Sequence, residues 1–243
     1  MTLRYFPDLQ IRGLAPGSAH PAPHVLGGAW LGDLPAAPTR EWPAQTIPAR
    51  LPGSLRNSVE EVWACDVPCS AGAFEGINWR RTDGLLYGVL ELDESDFSTS
   101  PAGSPLQAAS REAYRRIFSL LEEQRLPNLW RAWNYLADIN RETNGLERYR
   151  QFNIGRQEAF LEFRHGASGN VPTACAVGLT GGPLRVAFLA GSEPAEPIEN
   201  PRQISAYNYP AEYGPSSPTF SRAALVRLPG QELLFVSGTA SIL

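Results

Sequence analysis

Alternating apolar and polar positions along the chain predict several short strands. Residues 59–67 (VEEVWACDV) and 84–92 (GLLYGVLEL) have strand patterns, and the second is apolar on both faces, as expected for a buried strand. Residues 128–139 (NLWRAWNYLADI) alternate between two faces, which predicts a third strand with Trp130 and Asn134 on the same side.

Two longer segments have the helical period instead. Residues 105–126 carry apolar side chains at i, i+3 and i+4 spacing, and Pro127 is expected to end this helix. Residues 145–166 predict a second helix, with Phe152 and Phe160 in its apolar stripe and three arginines on its polar side.

The sequence predicts two hairpins in the C-terminal part of the chain, separated by a domain boundary. Residues 173–192 contain two apolar runs joined by TGGP, which predicts a hairpin. The Pro- and Glu-rich segment 192–203 is the predicted domain boundary, and RAALVRL-PGQ-ELLFVSGTASI predicts a second hairpin. The fold class is therefore predicted as α+β, with one module over residues 1–195 and the start of another over 196–243.

Charge and composition exclude several classes of function. The 243 residues carry a net charge of −4, so no overall electrostatic attraction to nucleic acid is expected. All 21 basic residues are arginine, which excludes Schiff-base lysine chemistry and a phosphate-loop lysine. An anionic ligand would have to be held by arginine, backbone N–H or hydroxyl groups.

The three cysteines do not form a recognisable disulfide framework. Cys65 and Cys69 form a C-x3-C pair without a second pair, which favours ordinary thiols over a zinc site. The N-terminus has no signal-peptide pattern and no apolar run is long enough to span a bilayer. The sequence thus predicts a cytoplasmic protein with no membrane or nucleic-acid partner, and it does not indicate an oligomeric state.

Four segments resemble the chorismatase family, also labelled pteridine-dependent deoxygenase-like. They are RAWNYLADIN, ERYRQFNIGRQEAF, SAYNYPAEYGPSSPTFSRA and LLFVSGTASI, and the resemblance spans residues 59–243. It implies two modules of sheet packed with helices, each deaminase-like (chorismate-mutase-like), with the second module incomplete here. It also implies that the general-acid glutamate belongs to a segment beyond Leu243, so we expect a C-terminally truncated chain whose catalytic residue is not identified.

The implied substrate defines what the site needs. Hydrolysis of the enolpyruvyl ether of chorismate protonates a methylene carbon and lets water attack, which requires an acid, clamps for two carboxylates and a partly dry pocket, but neither a metal nor an organic cofactor. Arg148 and Arg156 lie eight residues apart on the second helix, so their side chains project within about 80° of each other. Arg148 is equally compatible with surface pairing to Glu147 or Glu142.

The resemblance also implies a rigid aromatic wall for the substrate ring. Tyr209 and Tyr213 would line it, with Arg222 directed at a carboxylate, and the alternative is an aromatic cluster that links two domains. Tyr135 is either a hydrogen-bond donor to the ligand or a core tyrosine.

The SGTAS segment adds two further substrate-binding candidates, Gly238 and Thr239. A glycine inside a predicted strand indicates close approach of a ligand or of another backbone. In the family, a small residue at such a position bears on the product, and glycine fits the hydroxybenzoate-forming branch better than the dihydrodiol-forming one.

Three hypotheses about function follow. The first is a chorismatase-like hydrolase that releases pyruvate and leaves 3- or 4-hydroxybenzoate or a dihydroxycyclohexadiene carboxylate. The second is an imine or enamine deaminase, which would need a complete second module. The third is a non-catalytic protein that binds aromatic carboxylates.

Overall fold

The computed structural model describes residues 2–7, 22–32, 39–49, 58–98, 103–165, 171–208 and 215–239. These residues form strands and two α-helices arranged around a central sheet. The strands are β1 (Leu3–Pro7), β2 (Val25–Gly32), β3 (Ala44–Pro48), β4 (Ser58–Cys65), β5 (Ser70–Phe74), β6 (Ile77–Arg81), β7 (Leu85–Leu92), β8 (Asn128–Ala137), β9 (Glu142–Thr143), β10 (Leu146–Glu147), β11 (Thr173–Leu179), β12 (Leu184–Gly191), β13 (Ala195–Ile198), β14 (Ala223–Leu228) and β15 (Gln231–Val236). The helices are α1 (Pro105–Gln124) and α2 (Arg148–Glu162).

Six strands build the central sheet in the order β11-β8-β12-β7-β6-β5. Strand β12 is antiparallel to both of its neighbours, β7 and β8, whereas β11 runs parallel to β8 and forms an edge of the sheet. The hairpin predicted for residues 173–192 is therefore wrong, because β8 lies between β11 and β12. The TGGP turn instead carries the chain past β8.

Strand β7 is buried on both faces, as predicted for residues 84–92. Leu86 and Leu90 pack into the core beneath the helices, while Leu85 and Tyr87 pack into a second core on the opposite face. Because side chains alternate along a strand, both cores depend on the same strand register.

Helix α1 confirms the amphipathic pattern of residues 105–126. Its N-terminus is capped by Ser104, whose Oγ accepts a 3.2 Å hydrogen bond from the backbone N–H of Gln107. The helix ends at Gln124, and the following residue, Arg125, adopts a left-handed conformation with φ +56°. The helix therefore ends before Pro127, the residue that was expected to end it.

Helix α2 is shorter than the predicted helix over residues 145–166. Its expected first turn belongs to the β9–β10 hairpin, which turns at Gly145 with φ +74°. The two helices pack together through aromatic rings on one face of the central sheet, and the rings of Phe118 and Phe160 meet edge to face with centroids 4.9 Å apart.

Two smaller sheets contribute to the core on the other face of the central sheet. Strands β1-β4-β2-β3 form a four-stranded sheet, and β13-β14-β15 form a three-stranded one. From these sheets, Leu26 and Phe235 pack with Tyr87 and Leu189 of the central sheet. The strand predicted at residues 59–67 is confirmed as β4, and the C-terminal hairpin is confirmed as β14–β15.

The register of β8 against β12 contains an irregularity beside Leu189. Ala132 packs into the core beneath the helices, whereas Trp130 packs into the core on the opposite face and donates from Nε1 to Glu193 O at 2.7 Å. The prediction that Trp130 and Asn134 share a face is therefore wrong, because the irregularity interrupts the alternation of side chains.

Neither α1 nor α2 is long and apolar enough to cross a lipid bilayer. Within the described ranges, no three side chains of the His, Cys, Asp and Glu types come together in a way that would hold a metal ion.

Candidate active site

A cavity of about 450 Å³ lies beside β11, the edge strand of the central sheet. Helix α2 forms one wall, residues 174–178 of β11 form another, and residues from the segments after β8, β13 and β15 complete it. The described lining consists of Ile139, Asn140, Tyr149, Phe152, Asn153, Arg156, Ala174, Cys175, Ala176, Val177, Gly178, Phe220 and Gly238. The cavity is thus largely apolar with a few convergent polar groups, as is typical of small-molecule sites.

Arg156 carries the only charge among the described lining residues. The residue is 2% exposed, and its Nε and Nη2 atoms have no hydrogen-bond partner in the described part of the chain. Its guanidinium carbon lies 4.9 Å from the ring centroid of Tyr114 and 5.2 Å from that of Phe160. These rings stabilise the cation and fix its position, but they do not satisfy its N–H donors.

The sequence of α2 explains how Arg156 becomes buried. Phe152, Arg156 and Phe160 follow one another at i, i+4 spacing and therefore lie on the same face of the helix, toward the sheet and α1, so the prediction that Arg156 belongs to the polar side is wrong. Gly155 lets the two helices approach closely, because a Cβ at this position would lie 2.0 Å from the carbonyl oxygen of Gln107 on α1. The close helix pair leaves the guanidinium between aromatic rings instead of in solvent.

A chain of hydrogen bonds connects α1 to the cavity wall. Tyr114 Oη donates to Asn134 Oδ1 at 2.8 Å, and Asn134 Nδ2 donates to the backbone oxygen of Cys175 at 2.8 Å. Burial raises the pKa of Tyr114, while the neighbouring Arg156 cation acts in the opposite direction. The phenol therefore stays protonated and holds β11 against β8 through the Asn134 amide.

Arg148 lies away from this cavity. Its Nη1 donates to Glu94 Oε2 at 3.0 Å, its Nη2 donates to Glu94 Oε1, and its Nε donates to Ala137 O at 2.8 Å. The surface pairing with Glu147 or Glu142 considered from the sequence is therefore wrong, because the carboxylate partner is Glu94, whereas substrate binding by Arg148 stays a prediction. Substrate binding by Arg148 would require this buried pair to break.

Tyr135 lies on the opposite face of the central sheet from Asn134. It lines a separate hollow of about 790 Å³ together with residues 47–49 and 177–180. Burial raises the pKa of its phenol. The structure does not bring Tyr135 together with Arg156.

Arg222, just before β14, does not line the cavity either. Its Nη2 donates to Ile204 O at 3.0 Å, and its Nε lies 3.9 Å from Glu199 Oε2. Two neighbouring candidates for the aromatic wall, Tyr209 and Tyr213, lie outside the described residues, so that wall stays a prediction.

Gly238 lines the cavity, as the substrate-binding prediction requires. However, β15 ends at Val236, so Gly238 and Thr239 follow the strand and are exposed rather than lying in a strand interior. A Cβ at Gly238 would lie 3.8 Å from Cys175 Cβ, an ordinary contact distance. A Cβ would therefore fit at this position without a clash.

A family model for the N-terminal region of chorismatases of the FkbO/Hyg5-like type matches residues 61–190. The chain belongs to this chorismatase family. The matched range contains Tyr114, Asn134, Arg156 and the β11 wall, so most of the described cavity lies in the region that defines the family.

Curated relatives of the family come from Streptomyces. A chorismatase of Streptomyces rapamycinicus is 36% identical over 189 residues, and one of Streptomyces hygroscopicus is 37% identical over 185 residues. A 3-hydroxybenzoate synthase of Streptomyces hygroscopicus is 36% identical over 191 residues. These matches cover 75–76% of this chain and 51–54% of the relatives, so the chain spans about half the length of the curated relatives it matches.

The architecture also matches a solved chorismatase. A crystal structure of a chorismatase superposes with a TM-score of 0.81 at 30% identity, covering 100% of this chain and 70% of that one. The mixed sheets with two helices described above are therefore the chorismatase fold over this part of the chain.

Asn153, which lines the cavity, and Tyr114, whose ring packs against Arg156, had no functional signal in the sequence. Tyr114 appears there only as one apolar position in the α1 stripe, and Asn153 appears only as a polar position on α2. Asn153 is 4% exposed and lines the cavity next to Arg156. Their placement depends on packing between helices that are distant in sequence, which periodicity alone does not reveal.

Proposed function

We propose that this chain contributes the carboxylate-binding part of an enzyme that hydrolyses chorismate to pyruvate and a hydroxybenzoate or dihydroxycyclohexadiene carboxylate. One observation carries the proposal: the buried Arg156 guanidinium lines a cavity in which no described residue is acidic, and two of its nitrogens have no hydrogen-bond partner there. A buried cation without acceptors favours an anionic ligand. Membership of the chorismatase family supports chorismate as that anion.

The roles of the cavity residues follow from their chemistry. Arg156 would hold one carboxylate through charge-assisted hydrogen bonds, and Asn140, Tyr149 and Asn153 offer neutral polar groups for the rest of the ligand. Phe152 and Phe220 would exclude water around the ring. The guanidinium is already held between two aromatic rings, so little ordering is needed when the ligand binds.

The described lining of the cavity supplies no acid for the proton-transfer step. Protonation of the enolpyruvyl methylene carbon needs an acid, and the described lining includes neither Asp nor Glu. We therefore assign the general acid to residues outside the described lining, in agreement with the glutamate that the family resemblance implies.

The modular organisation is part of the proposal. Strands β13, β14 and β15 pair only with one another in the described part of the chain, and they span residues 195–236. This separation in pairing supports a second module that begins near residue 196. The relation of both modules to reactive-intermediate deaminases is proposed on the family resemblance alone.

The product we propose is a hydroxybenzoate. A relative that is 36% identical is named 3-hydroxybenzoate synthase. Glycine at position 238 agrees with the hydroxybenzoate-forming branch that the family resemblance implies.

The proposal is tested by incubating the purified chain with chorismate. Pyruvate release is followed through NADH oxidation by lactate dehydrogenase, and aromatic products are separated by chromatography. Binding is measured separately by calorimetry. Chorismate binding with pyruvate release supports the proposal; binding without release supports a non-catalytic carboxylate-binding protein; no binding contradicts both.

Two matched variants locate the binding site. Arg156→Gln should weaken chorismate binding by about ten- to a hundredfold, because one or more charge-assisted hydrogen bonds of about 1.5–3 kcal/mol are lost. Arg150→Gln removes an exposed arginine of the same helix and should leave affinity unchanged. Equal affinity of wild type and Arg156→Gln, with both folded by circular dichroism, would place the carboxylate site elsewhere.

A further inference from the structure

Two of the three thiols are adjacent in the fold. Cys65 is the last residue of β4, and Cys69 immediately precedes β5. Both side chains pack against the same core on the face opposite the helices. Neither cysteine belongs to the chorismate-binding cavity proposed above.

Backbone contacts hold the two cysteines to one segment, residues 23–24, just before β2. The N–H of Cys69 donates to Pro23 O at 2.7 Å, and Cys69 Sγ lies 3.8 Å from His24 O. His24 Nδ1 lies 3.2 Å from Cys65 O. Cys65 and Cys69 are therefore both held beside residues 23–24.

The environments of the two thiols differ. Cys65 is buried, and its pKa is raised by the hydrogen bond to Cys69 and by burial. Cys69 is half-buried, and its pKa is lowered by the hydrogen bond from Cys65, with the Arg80 cation acting in the same direction. Cys69 is thus the accessible thiol that loses its proton more easily, and Cys65 is the buried partner that retains one.

We propose that Cys65 and Cys69 form a redox-modification site, in which a hydroperoxide converts the two thiols to an intramolecular disulfide. The Cys69 thiolate attacks one peroxide oxygen and breaks the O–O bond, which gives a sulfenic acid and, after protonation of the leaving oxygen, water or an alcohol. The Cys65 sulfur then attacks the Cys69 sulfur, the S–O bond breaks, and water leaves with the Cys65 proton. Both thiols are oxidised and the peroxide is reduced by two electrons.

Cys175 provides an internal control. It lies on β11, away from this pair, and burial raises the pKa of its thiol. It has no neighbouring cysteine among the described residues. Its thiol should therefore survive the oxidant that closes the pair.

The amino-acid sequence makes the test direct. Cleavage after arginine releases residues 57–80 as one peptide that contains Cys65 and Cys69, and residues 165–185 as another that contains Cys175. The reduced, folded protein is treated with stoichiometric hydrogen peroxide, then denatured and alkylated before digestion. We expect peptide 57–80 to lose two hydrogen masses and to escape alkylation, while peptide 165–185 stays alkylated.

Two outcomes would overturn the proposal: peptide 57–80 alkylated at both cysteines under these conditions, or a disulfide between two molecules in its place. Single-residue variants test the roles assigned to Cys65 and Cys69. Cys65→Ala should leave Cys69 as a sulfenic acid that dimedone traps, and Cys69→Ser should abolish disulfide formation in this peptide. Cys175→Ser should form the disulfide like the wild type, and the wild-type mapping needs no variant to fold.

Discussion

Tyr114 Oη on α1 donates a 2.8 Å hydrogen bond to Asn134 Oδ1 in the middle of the central sheet, and both residues are fully buried. The bond joins α1 to β8, the strand that pairs with β11. Because it lies in a dry interior, its loss leaves an acceptor that water cannot reach.

Tyr114→Phe removes only this hydroxyl. We expect a loss of about 1–3 kcal/mol in the free energy of unfolding, since Asn134 Oδ1 becomes a buried acceptor without a donor. The measurement is urea unfolding followed by fluorescence. Ser110→Ala, which removes a buried hydroxyl that bonds only to Leu106 O in its own helix, should change stability by less than about 0.5 kcal/mol. Equal effects of the two variants would contradict this account.

The Arg148–Glu94 pair should be a strong interaction across distant parts of the chain. The side chains are 12% and 21% exposed, and the pair is bidentate. A double-mutant cycle with Arg148→Gln and Glu94→Gln should give a coupling energy of about 2–3 kcal/mol.

The chain offers a matched pair for this cycle on the same helix. Arg150 and Glu147 are 3.5 Å apart and are 41% and 30% exposed, so the corresponding cycle should give less than about 1 kcal/mol. If both cycles gave the same small value, the buried pair would not contribute to stability as described.

Gly155→Ala should destabilise the packing of α1 against α2. The added Cβ would lie 2.0 Å from Gln107 O, so the helices must separate, and this strain should exceed the gain in helix propensity, with a net loss of about 1–3 kcal/mol. Gly181→Ala is the control, because no atom lies within 4 Å of its added Cβ. Thermal unfolding of both variants provides the comparison, and an unchanged Gly155→Ala protein would contradict the close approach.

Lowering the pH should weaken the contribution of Glu112 to the free energy of unfolding. Hydrogen bonds from Arg115, with a further contribution from Arg116, lower its pKa from 4.5 to about 2. A carboxyl group whose pKa is depressed in the folded state stabilises that state above its unfolded pKa, and this contribution disappears as the pH falls through the folded value. Glu112→Gln should therefore be less stable than the wild type at neutral pH, and the difference should shrink between pH 4.5 and about 2.

Unfolding curves at several pH values measure this difference. Glu123→Gln alters an exposed carboxylate of the same helix and should differ little from the wild type at any pH. A Glu112→Gln difference that stayed constant down to pH 2 would show that the arginine contacts do not act through the carboxylate charge.

Local patterns in the sequence were sufficient for most individual elements. The period of α1 and the apolar run of β7 are properties of contiguous residues, and both are where they were predicted. The family resemblance identified Arg156 as a site residue, and the structure places it in the cavity. The first turn of α2 was misassigned, because residues 146–147 pair with residues 142–143 instead.

Relationships between distant residues were not predictable in the same way. The turn signal at residues 180–183 is real, but it does not specify which strands pair, and β8 occupies the position between the two runs. Likewise, Arg148 is preceded by two nearby glutamates, Glu142 and Glu147, yet its partner is Glu94, which is 54 residues away. Which strands pair, and which carboxylate an arginine contacts, depend on the assembled sheet, because only there do the competing partners differ in burial.

The position of β12 has a consequence for how the polypeptide folds during synthesis. Because β12 pairs with both β7 and β8, the central sheet cannot be completed until residue 191 has left the ribosome. Until then, the apolar faces of β7 and β8 lack their common neighbour, and the earlier strands offer no local substitute. The slow step of folding should therefore be the insertion of this late strand, a long-range event that nascent-chain chaperones are suited to protect.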